Sequence, residues 1–329
     1  MTVSEEKRNY LRLLITTSRL DSYGGSQIVV LELVEWFISR GWQVTLLSEA
    51  VGESMHRELS RFLNGKQLKL SISGAEISTI EDFDLVWITH NVWPDALEGM
   101  TKEQSSSTRV VTLHMGSLER METEVLTELE NTLADRILVV SGRTRDRMIE
   151  FGLDAALIGI FDNPVPNTFL RRPQKKSVGM KAVLLLSNHL PTELLEVSRK
   201  LESDGTYVSH LGVNGDRFER LSLELLVKFD AVVTIGKSTQ YCLVMGLPVY
   251  SYDHFGGAGW LSDANFAFEA FNNFSGYRTQ RKLSADQIAS EIRDGFHDAR
   301  LWSKENMVKF SEHYSLDRQM GALLNSLKL

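Results

Sequence analysis

Short apolar runs alternate with helical patterns along most of the chain, and this alternation restricts the fold more than any other feature. The run RLLITT at residues 12–17 is followed by apolar residues at helical spacing over 26–40, and then by another apolar run at 44–47. Such alternation is typical of parallel strands joined by crossover helices. We therefore predict α/β domains built on doubly wound parallel sheets. Further strands are predicted at 84–89, 109–114, 136–140, 157–161, 182–187, 207–212, 230–235 and 248–251. Helices are predicted at about 95–104, 118–134, 142–151, 191–204, 219–228, 238–245 and 284–328.

The alternation stops once, in a proline-rich stretch near the middle of the chain. Residues 162–181 contain three of the six prolines, together with a basic cluster at 171–176. Proline is disfavoured in helix interiors and central strands, so this stretch is predicted to join two domains. A length of 329 residues agrees with about two domains. We expect two Rossmann-like domains facing a cleft, with these boundaries: a first domain at 1–165, a linker at 166–181, a second domain at 182–312 and a C-terminal helix at 313–329 that crosses back.

Composition excludes several classes of protein. The chain has 43 acidic and 36 basic residues, a formal net charge of −7, and none of its basic residues form the long block expected of a nucleic-acid-binding surface. Its one cysteine, Cys242, cannot form an internal disulfide or a cysteine-rich zinc site. No apolar stretch of about 18 residues occurs. We expect a soluble cytoplasmic protein, and peripheral contact of Arg143, Arg145 and Arg147 with anionic lipid at the inner face of a membrane stays open.

Ligands in open parallel sheets bind beyond the carboxyl ends of the strands, so the residues there are the candidates. In the first domain, Gly24 and Gly25 separate a strand from a helix beginning near Ser26, whose free N–H groups suit an anion or acceptor. A tight turn capped by Ser26 is the alternative. The Asp82–Asp84 pair has the D-x-D spacing of a metal site but begins a strand, so no metal is predicted.

Two histidines lie at the ends of predicted strands: His90 comes directly after one, and His114 is the last residue of another. A single histidine is usually structural, but two at neighbouring strand ends are candidates for binding an acceptor hydroxyl or for acting as a base. Trp93 lies in the same region. Its role in acceptor binding and its packing into the core both stay open.

The second domain contains a turn and helix start with the groups that a diphosphate requires. A predicted strand ends at Ile235, and a turn glycine, a cation, two hydroxyls and an amide follow: Gly236, Lys237, Ser238, Thr239 and Gln240. Backbone donors, the helix dipole and a positive charge together favour a bound diphosphate. The alternative is an N-cap by Ser238 beside an exposed lysine.

A glycine-rich segment follows the next strand. It places the acid Asp253 and the imidazole of His254 beside Gly256 and Gly257. Such a segment is costly to order, which favours a binding loop over a simple connection.

Three segments resemble the large retaining glycosyltransferase family of the GT-B fold, which includes many bacterial capsule, exopolysaccharide and lipopolysaccharide enzymes. They are RGWQVTLL at 40–47, ADRILVVSGRTRDRMIEFGL at 134–153 before Asn163-Pro164, and IGKSTQYCLVMGLPVYSYDHFGG at 235–257. The resemblance implies an acceptor-binding first domain and a nucleotide-sugar-binding second domain. It also implies that the last helix crosses back to the first domain. No cofactor is expected, because the nucleotide sugar is a co-substrate.

The chain departs from this family at two places. The family's two donor-helix glutamates are replaced by Val233 and Tyr241, and a basic pair expected near the start of the donor domain is replaced by Asn188 and His189. Lys237 is then the candidate for the missing positive charge at the leaving phosphate, and Asn188, His189 and His254 are candidate donor-binding residues.

The leading hypothesis is a metal-independent glycosyltransferase that moves a sugar from a nucleotide-activated donor to a glycan or lipid-linked acceptor in bacterial surface polysaccharide biosynthesis. If the reaction inverts the anomeric centre, His114 or Asp253 is the candidate base. Two alternatives stay open. One is an inactive glycosyltransferase-like subunit that supports a partner enzyme, and the other is a nucleotide-sugar epimerase.

Overall fold

A computed structural model describes residues 10–72, 77, 79–105, 107–116, 126–170 and 179–329. The predicted basic cluster at 171–176 and the beginning of the helix predicted at 118–134 lie outside these residues. The chain divides into two compact units. The first unit comprises Met1–Val140, Thr144–Ile160 and Asn325–Leu329, and the second comprises Ser141–Arg143 and Phe161–Leu324.

The first unit is built on a seven-stranded parallel sheet. The elements in this half of the chain are β1 (Arg12–Leu20), α1 (Gly25–Ser39), β2 (Gln43–Val51), α2 (Glu53–Asn64), β3 (Leu68–Ser71), β4 (Leu85–Thr89), β5 (Arg109–His114), α3 (Thr127–Leu133), β6 (Arg136–Val139), α4 (Gly142–Glu150) and β7 (Ile158–Ile160). The strand order is β3-β2-β1-β4-β5-β6-β7. Every neighbouring pair is parallel.

Burial explains why the strands of this sheet appear in the sequence as continuous apolar runs. All five residues of β4 are buried. Helices cover both faces of such a sheet, so strands buried on both sides lose the alternation of apolar and polar residues. Helix α1 is buried over most of its surface for the same reason. The helix predicted at 95–104 is wrong, because this segment has only a short 3₁₀ turn at Asp95–Leu97.

The second unit is built on a five-stranded sheet. The elements of this half are β8 (Ala182–Leu186), α5 (Thr192–Ser203), β9 (Tyr207–Leu211), α6 (Leu223–Leu226), β10 (Ala231–Thr234), α7 (Lys237–Val244), β11 (Val249–Asp253), β12 (Gly256–Trp260), α8 (Phe266–Phe271), α9 (Ala285–His313) and α10 (Leu316–Leu327). The strand order is β12-β11-β10-β8-β9. Helix α9 begins with a capping box formed by Ser284 and Gln287. Its apolar side packs with α5 on one face of the sheet.

Strand β12 corrects the prediction of a glycine-rich loop after Asp253. Residues 256–260 form an edge strand antiparallel to β11, with Tyr250 opposite Trp260. Gly256 has a φ of +89°, which the turn between these two strands requires. A Cβ on Gly257 would lie 2.0 Å from the carbonyl oxygen of Ser251, so only glycine fits there. Close backbone packing in a hairpin therefore accounts for both glycines.

No helix among the described residues is long and apolar enough to cross a membrane.

Candidate functional site

Three neighbouring strands of the second sheet end at the same edge, which we call the carboxyl edge. Strand β10 lies between β8 and β11 and runs parallel to both. The segments that follow them are 187–191, 235–236 and 254–255. These segments and the strand and helix residues next to them contain all the predicted donor-site residues. The structure therefore brings those residues to one edge.

A buried carboxylate joins the segments after β8 and β11 across the end of β10. Asp253 is 4% exposed, and its two carboxylate oxygens lie 3.1 and 3.2 Å from the hydroxyl of Ser187. The same carboxylate accepts a hydrogen bond from the backbone N–H of His254 at 2.7 Å. The hydroxyl of Ser187 in turn accepts one from the N–H of His189 at 2.9 Å. Asp253 thus holds two histidines in fixed positions at this edge.

The two imidazoles lie close together and are exposed. The ring centroids of His189 and His254 are 5.6 Å apart, at an interplanar angle of 72°. Asn188, between Ser187 and His189, accepts a hydrogen bond from the N–H of Val213 at 3.2 Å through its side-chain oxygen. The amide therefore anchors the segment after β8, and the two imidazole rings remain accessible.

The start of α7 presents backbone donors at the end of β10. The cap residue is Gly236, with φ +60° and ψ −145°, and not Ser238, which is the second residue of the helix. The N–H of Gly236 donates to the carbonyl of Phe274 at 2.8 Å, and its carbonyl accepts from Thr239 N at 2.9 Å. Within the described chain, the buried hydroxyl of Thr239 has no hydrogen-bond partner. Polar groups buried in this way usually have a partner, so this hydroxyl marks the helix start as a candidate site.

Two predicted phosphate ligands are used inside the protein. Lys237 is 7% exposed; its ammonium donates to the carbonyl of Pro164 at 2.9 Å and lies 4.9 Å from the ring centroid of Tyr241. The amide nitrogen of Gln240, in the orientation that its hydrogen bonds require, donates to the carbonyls of Gly236 and Lys237 at 2.9 Å. Both side chains hold the backbone around the helix start, and a role in binding phosphate stays a prediction for them.

In the first unit, the residues predicted for the acceptor side lie at the ends of three neighbouring strands, β1, β4 and β5. Gly24 caps α1 and the exposed Gly25 begins it, so Ser26 lies inside the helix and is not its cap. Instead, Gln27 closes this turn, with its side-chain oxygen accepting from the N–H of Ser22 at 2.7 Å. The turn is formed without a serine cap.

His90 lies in a tight turn after β4. His90 and Asn91 both have a φ of +53°, and the Nδ1 atom of His90 lies 3.0 Å from the hydroxyl of Thr17. Trp93, just beyond, packs against the hydrophobic cluster that contains Leu14 and Val86. This contact supports core packing for Trp93, while the half-buried ring of His90 remains a candidate for binding the acceptor.

His114 is the last residue of β5 and is only 1% exposed. Its Nε2 atom lies 2.9 Å from a carboxylate oxygen of the fully buried Glu130, which also accepts from the hydroxyl of Thr112 at 2.8 Å. A base must reach the acceptor, so this buried pair does not favour the catalytic role proposed for His114.

Residues that the sequence interpretation missed act mainly by holding others. Ser187 is at the end of a predicted strand and Glu130 is within a predicted helix, and neither position indicated a role in the site. The segment 272–281, which contacts Gly236 through Phe274, carries no periodic pattern that predicts its position. No group of three or more histidine, cysteine, aspartate or glutamate side chains in the described part of the chain is arranged to hold a metal ion.

Comparison with known proteins gives one match to a family model. Residues 23–168 match the family described as Glycosyltransferase Family 4. This chain is a GT-B glycosyltransferase. It uses a nucleotide-sugar donor, as the family 4 match implies.

Solved structures show the same fold over nearly the whole glycosyltransferase. Anabaena HepE, solved in complex with UDP and glucose, covers 96% of this chain and 100% of its own, with 13% identity and a TM-score of 0.59. TarM from S. aureus covers 96% and 99%, with 9% identity and a TM-score of 0.60. A glycotransferase of kitacinnamycin covers 96% and 99%, with 12% identity and a TM-score of 0.57. No curated protein sequence matches significantly. At these identities, the likeness shows the fold alone.

Proposed function

We propose that the glycosyltransferase holds a nucleoside-diphosphate sugar at the carboxyl edge of the second sheet. We further propose that it transfers the sugar to a glycan or lipid-linked acceptor of a bacterial surface polysaccharide. The observation that supports this site most strongly is the buried Asp253, which joins the segments after β8 and β11 across the start of α7. Such an edge is where parallel α/β sheets bind their ligands.

The start of α7 suits the diphosphate. Its first N–H groups have no partner within the helix, and the helix dipole favours negative charge there. The hydroxyls of Ser238 and Thr239 lie in the same turn. HepE has been solved with UDP and with UDP-glucose, so UDP-sugars are the first donors to test.

We propose a reaction in which departure of the nucleoside diphosphate is the main step that the protein assists. Donors fixed around the leaving phosphate stabilise the charge that develops on it. Asp253 already accepts hydrogen bonds from Ser187 and His254, and His114 is hydrogen-bonded to Glu130. Both are better placed to hold neighbouring groups than to take a proton. We therefore favour retention, with the leaving phosphate taking the proton of the acceptor hydroxyl.

The acceptor is proposed to bind at the strand ends of the first unit, near Gly24, Gly25 and His90. The exposed helix start at Gly25 and the half-buried ring of His90 support this assignment. For Trp93 to belong to the same site, its ring would have to pack against the hydrophobic core and contact the acceptor at the same time.

The proposal is tested by incubating the purified protein with a panel of sugar nucleotides, with and without polysaccharide-derived or lipid-linked acceptors. Released nucleoside diphosphate is measured by chromatography. We expect acceptor-dependent release and at least a tenfold loss of turnover in Asp253→Asn, corresponding to about 1.4 kcal/mol. The matched control is Asp204→Asn, because Asp204 pairs with Arg293 at the opposite end of the sheet's strands.

The other outcomes are distinct. Undiminished turnover in Asp253→Asn would place the donor elsewhere. Conversion of the donor without acceptor would indicate an epimerase. Absence of nucleotide binding, together with co-purification of another enzyme, would indicate a supporting subunit.

A further inference from the structure

The proposed donor site needs a positive charge that the sequence interpretation assigned to Lys237. A nucleoside diphosphate is an anion, and the whole chain carries a formal charge of −7. The ammonium of Lys237 is directed to the carbonyl of Pro164 inside the protein. Arg281 is also engaged, because its guanidinium makes contacts of 2.8 and 3.0 Å with the carboxylate of Glu291. Both cations are engaged by groups of the protein itself, so the next candidate is another exposed cation at this edge.

Segment 272–281 runs along the carboxyl edge and contacts both glycine turns of the candidate site. The carbonyl of Phe274 accepts from the N–H of Gly236 at 2.8 Å. Gly276 lies against the other turn, where a Cβ on it would come within 2.8 Å of the carbonyl oxygen of Gly256. Asn273 and Phe274 adopt positive φ angles of 56° and 50°. Asn273 is held there by a 2.8 Å hydrogen bond from Asn163. The segment thus has a fixed path beside the start of α7.

A row of aromatic rings extends from this segment to the two histidines. The ring centroids of Tyr277 and Phe255 are 5.2 Å apart, and those of Phe255 and His254 are 3.8 Å apart. His189 follows at 5.6 Å from His254. At the other end, the guanidinium carbon of Arg278 lies 5.7 Å from the ring centroid of Tyr277. Arg278 therefore belongs to the same surface as the histidines held by Asp253.

Arg278 is exposed, and within the described residues no carboxylate pairs with it. A guanidinium is always charged and presents a planar set of donors that matches two phosphate oxygens at once. We propose that Arg278 binds the diphosphate of the nucleotide-sugar donor. This inference rests on the proposed function, and it replaces Lys237 by Arg278 as the cation at the leaving group.

Calorimetric titration tests the assignment, with UDP and GDP as probes and with uridine and guanosine as phosphate-free partners. We compare the wild-type chain with Arg278→Gln, Arg278→Lys and the control Lys282→Gln, which removes an exposed cation nearby. Arg278→Gln is expected to weaken binding of the preferred diphosphate at least tenfold and to leave nucleoside binding unchanged. Arg278→Lys is expected to restore part of the affinity, because the charge returns without the planar pair of donors. Lys282→Gln is expected to change affinity less than twofold.

Thermal unfolding of each variant shows whether the fold is retained. Diphosphate binding by Arg278→Gln within twofold of wild type would overturn the assignment while leaving the proposed function intact. Equal weakening of diphosphate and nucleoside would also overturn it, because it would indicate a supporting role for the segment and not a phosphate contact. If the wild-type chain binds neither UDP nor GDP and turns over no sugar nucleotide of the panel used to test the proposed function, both the inference and the proposed function are wrong.

Discussion

Replacing Lys237 by methionine separates the two roles that this lysine can have. Methionine keeps the unbranched apolar stem but removes the ammonium, which donates to the carbonyl of Pro164 and lies over the ring of Tyr241. A hydrogen bond from a charged group contributes about 1.5–3 kcal/mol, and a cation over an aromatic ring about 0.5–2 kcal/mol. The cost of burying the ammonium offsets part of this sum. We expect Lys237→Met to lower the free energy of unfolding by about 2 kcal/mol.

Urea unfolding followed by far-ultraviolet circular dichroism measures this change. With a slope of about 2 kcal/mol per molar urea, the midpoint of the affected transition shifts by about 1 M. The two units can unfold separately, so the transition is analysed in two steps where the curve requires it. The control is Lys282→Met, because a substitution at this exposed lysine is expected to change stability by less than about 0.5 kcal/mol.

Nucleotide binding by the folded Lys237→Met variant completes the test. If the lysine only supports the backbone, nucleotide affinity is expected to fall less than threefold. The affinity is measured without urea and at low temperature, where the variant is folded. Unchanged stability combined with a tenfold or greater loss of diphosphate affinity would refute this reasoning. It would return Lys237 to the role of donor-binding cation that the sequence suggested.

Two further predictions concern backbone packing and an ion pair in the second unit. Gly212→Ala is expected to lower the free energy of unfolding by at least about 3 kcal/mol, measured by thermal unfolding, because the φ of Gly212 is +148° and the new Cβ would lie 1.9 Å from a backbone oxygen. Gly159→Ala, whose nearest contact is 3.6 Å, should change stability by less than about 1 kcal/mol, and equal effects would refute the packing argument. The hydrogen bond from His313 to Asp162 raises the pKa of His313 above 6.5. Its stabilising contribution is therefore present below about pH 6.5 and is lost as the pH rises through the raised pKa. The free energy of unfolding of the wild type is expected to exceed that of His313→Gln by about 0.5–1 kcal/mol at pH 5.5 and by less at pH 9. A difference that does not change with pH would contradict a stabilising contribution from this ion pair.

The parts of the fold that were predicted correctly are those where local sequence and tertiary position agree. Apolar runs such as 109–114 and 182–187 match β5 and β8 closely because buried parallel strands need apolar side chains on both faces. The hairpin of β11 and β12 was missed because its second strand is GGAGW. Glycine is depleted in strands, and here it is required by the close approach of Ser251, which depends on a neighbouring strand.

The same distinction applies to the candidate site. The structure places Asp253, His254 and His189 near one another because parallel strands end at the same edge, and the residue after each strand can be read from the sequence. The partner of a side chain cannot be read in this way. Nothing near Lys237 in sequence indicates that its ammonium meets the carbonyl of Pro164, 73 residues away.

The cation of the donor site shows why this distinction matters for function. A lysine at a helix start satisfies every local requirement of a phosphate ligand, yet a long-range hydrogen bond directs its charge into the protein. Arg278 matches no local pattern, because it lies within a non-periodic segment. Tertiary contacts through Phe274 and Gly276 bring that segment to the start of α7. In a site built from several strand ends, local sequence can therefore identify the backbone that receives the anion, whereas the side chain that neutralises it depends on contacts that only the folded chain provides.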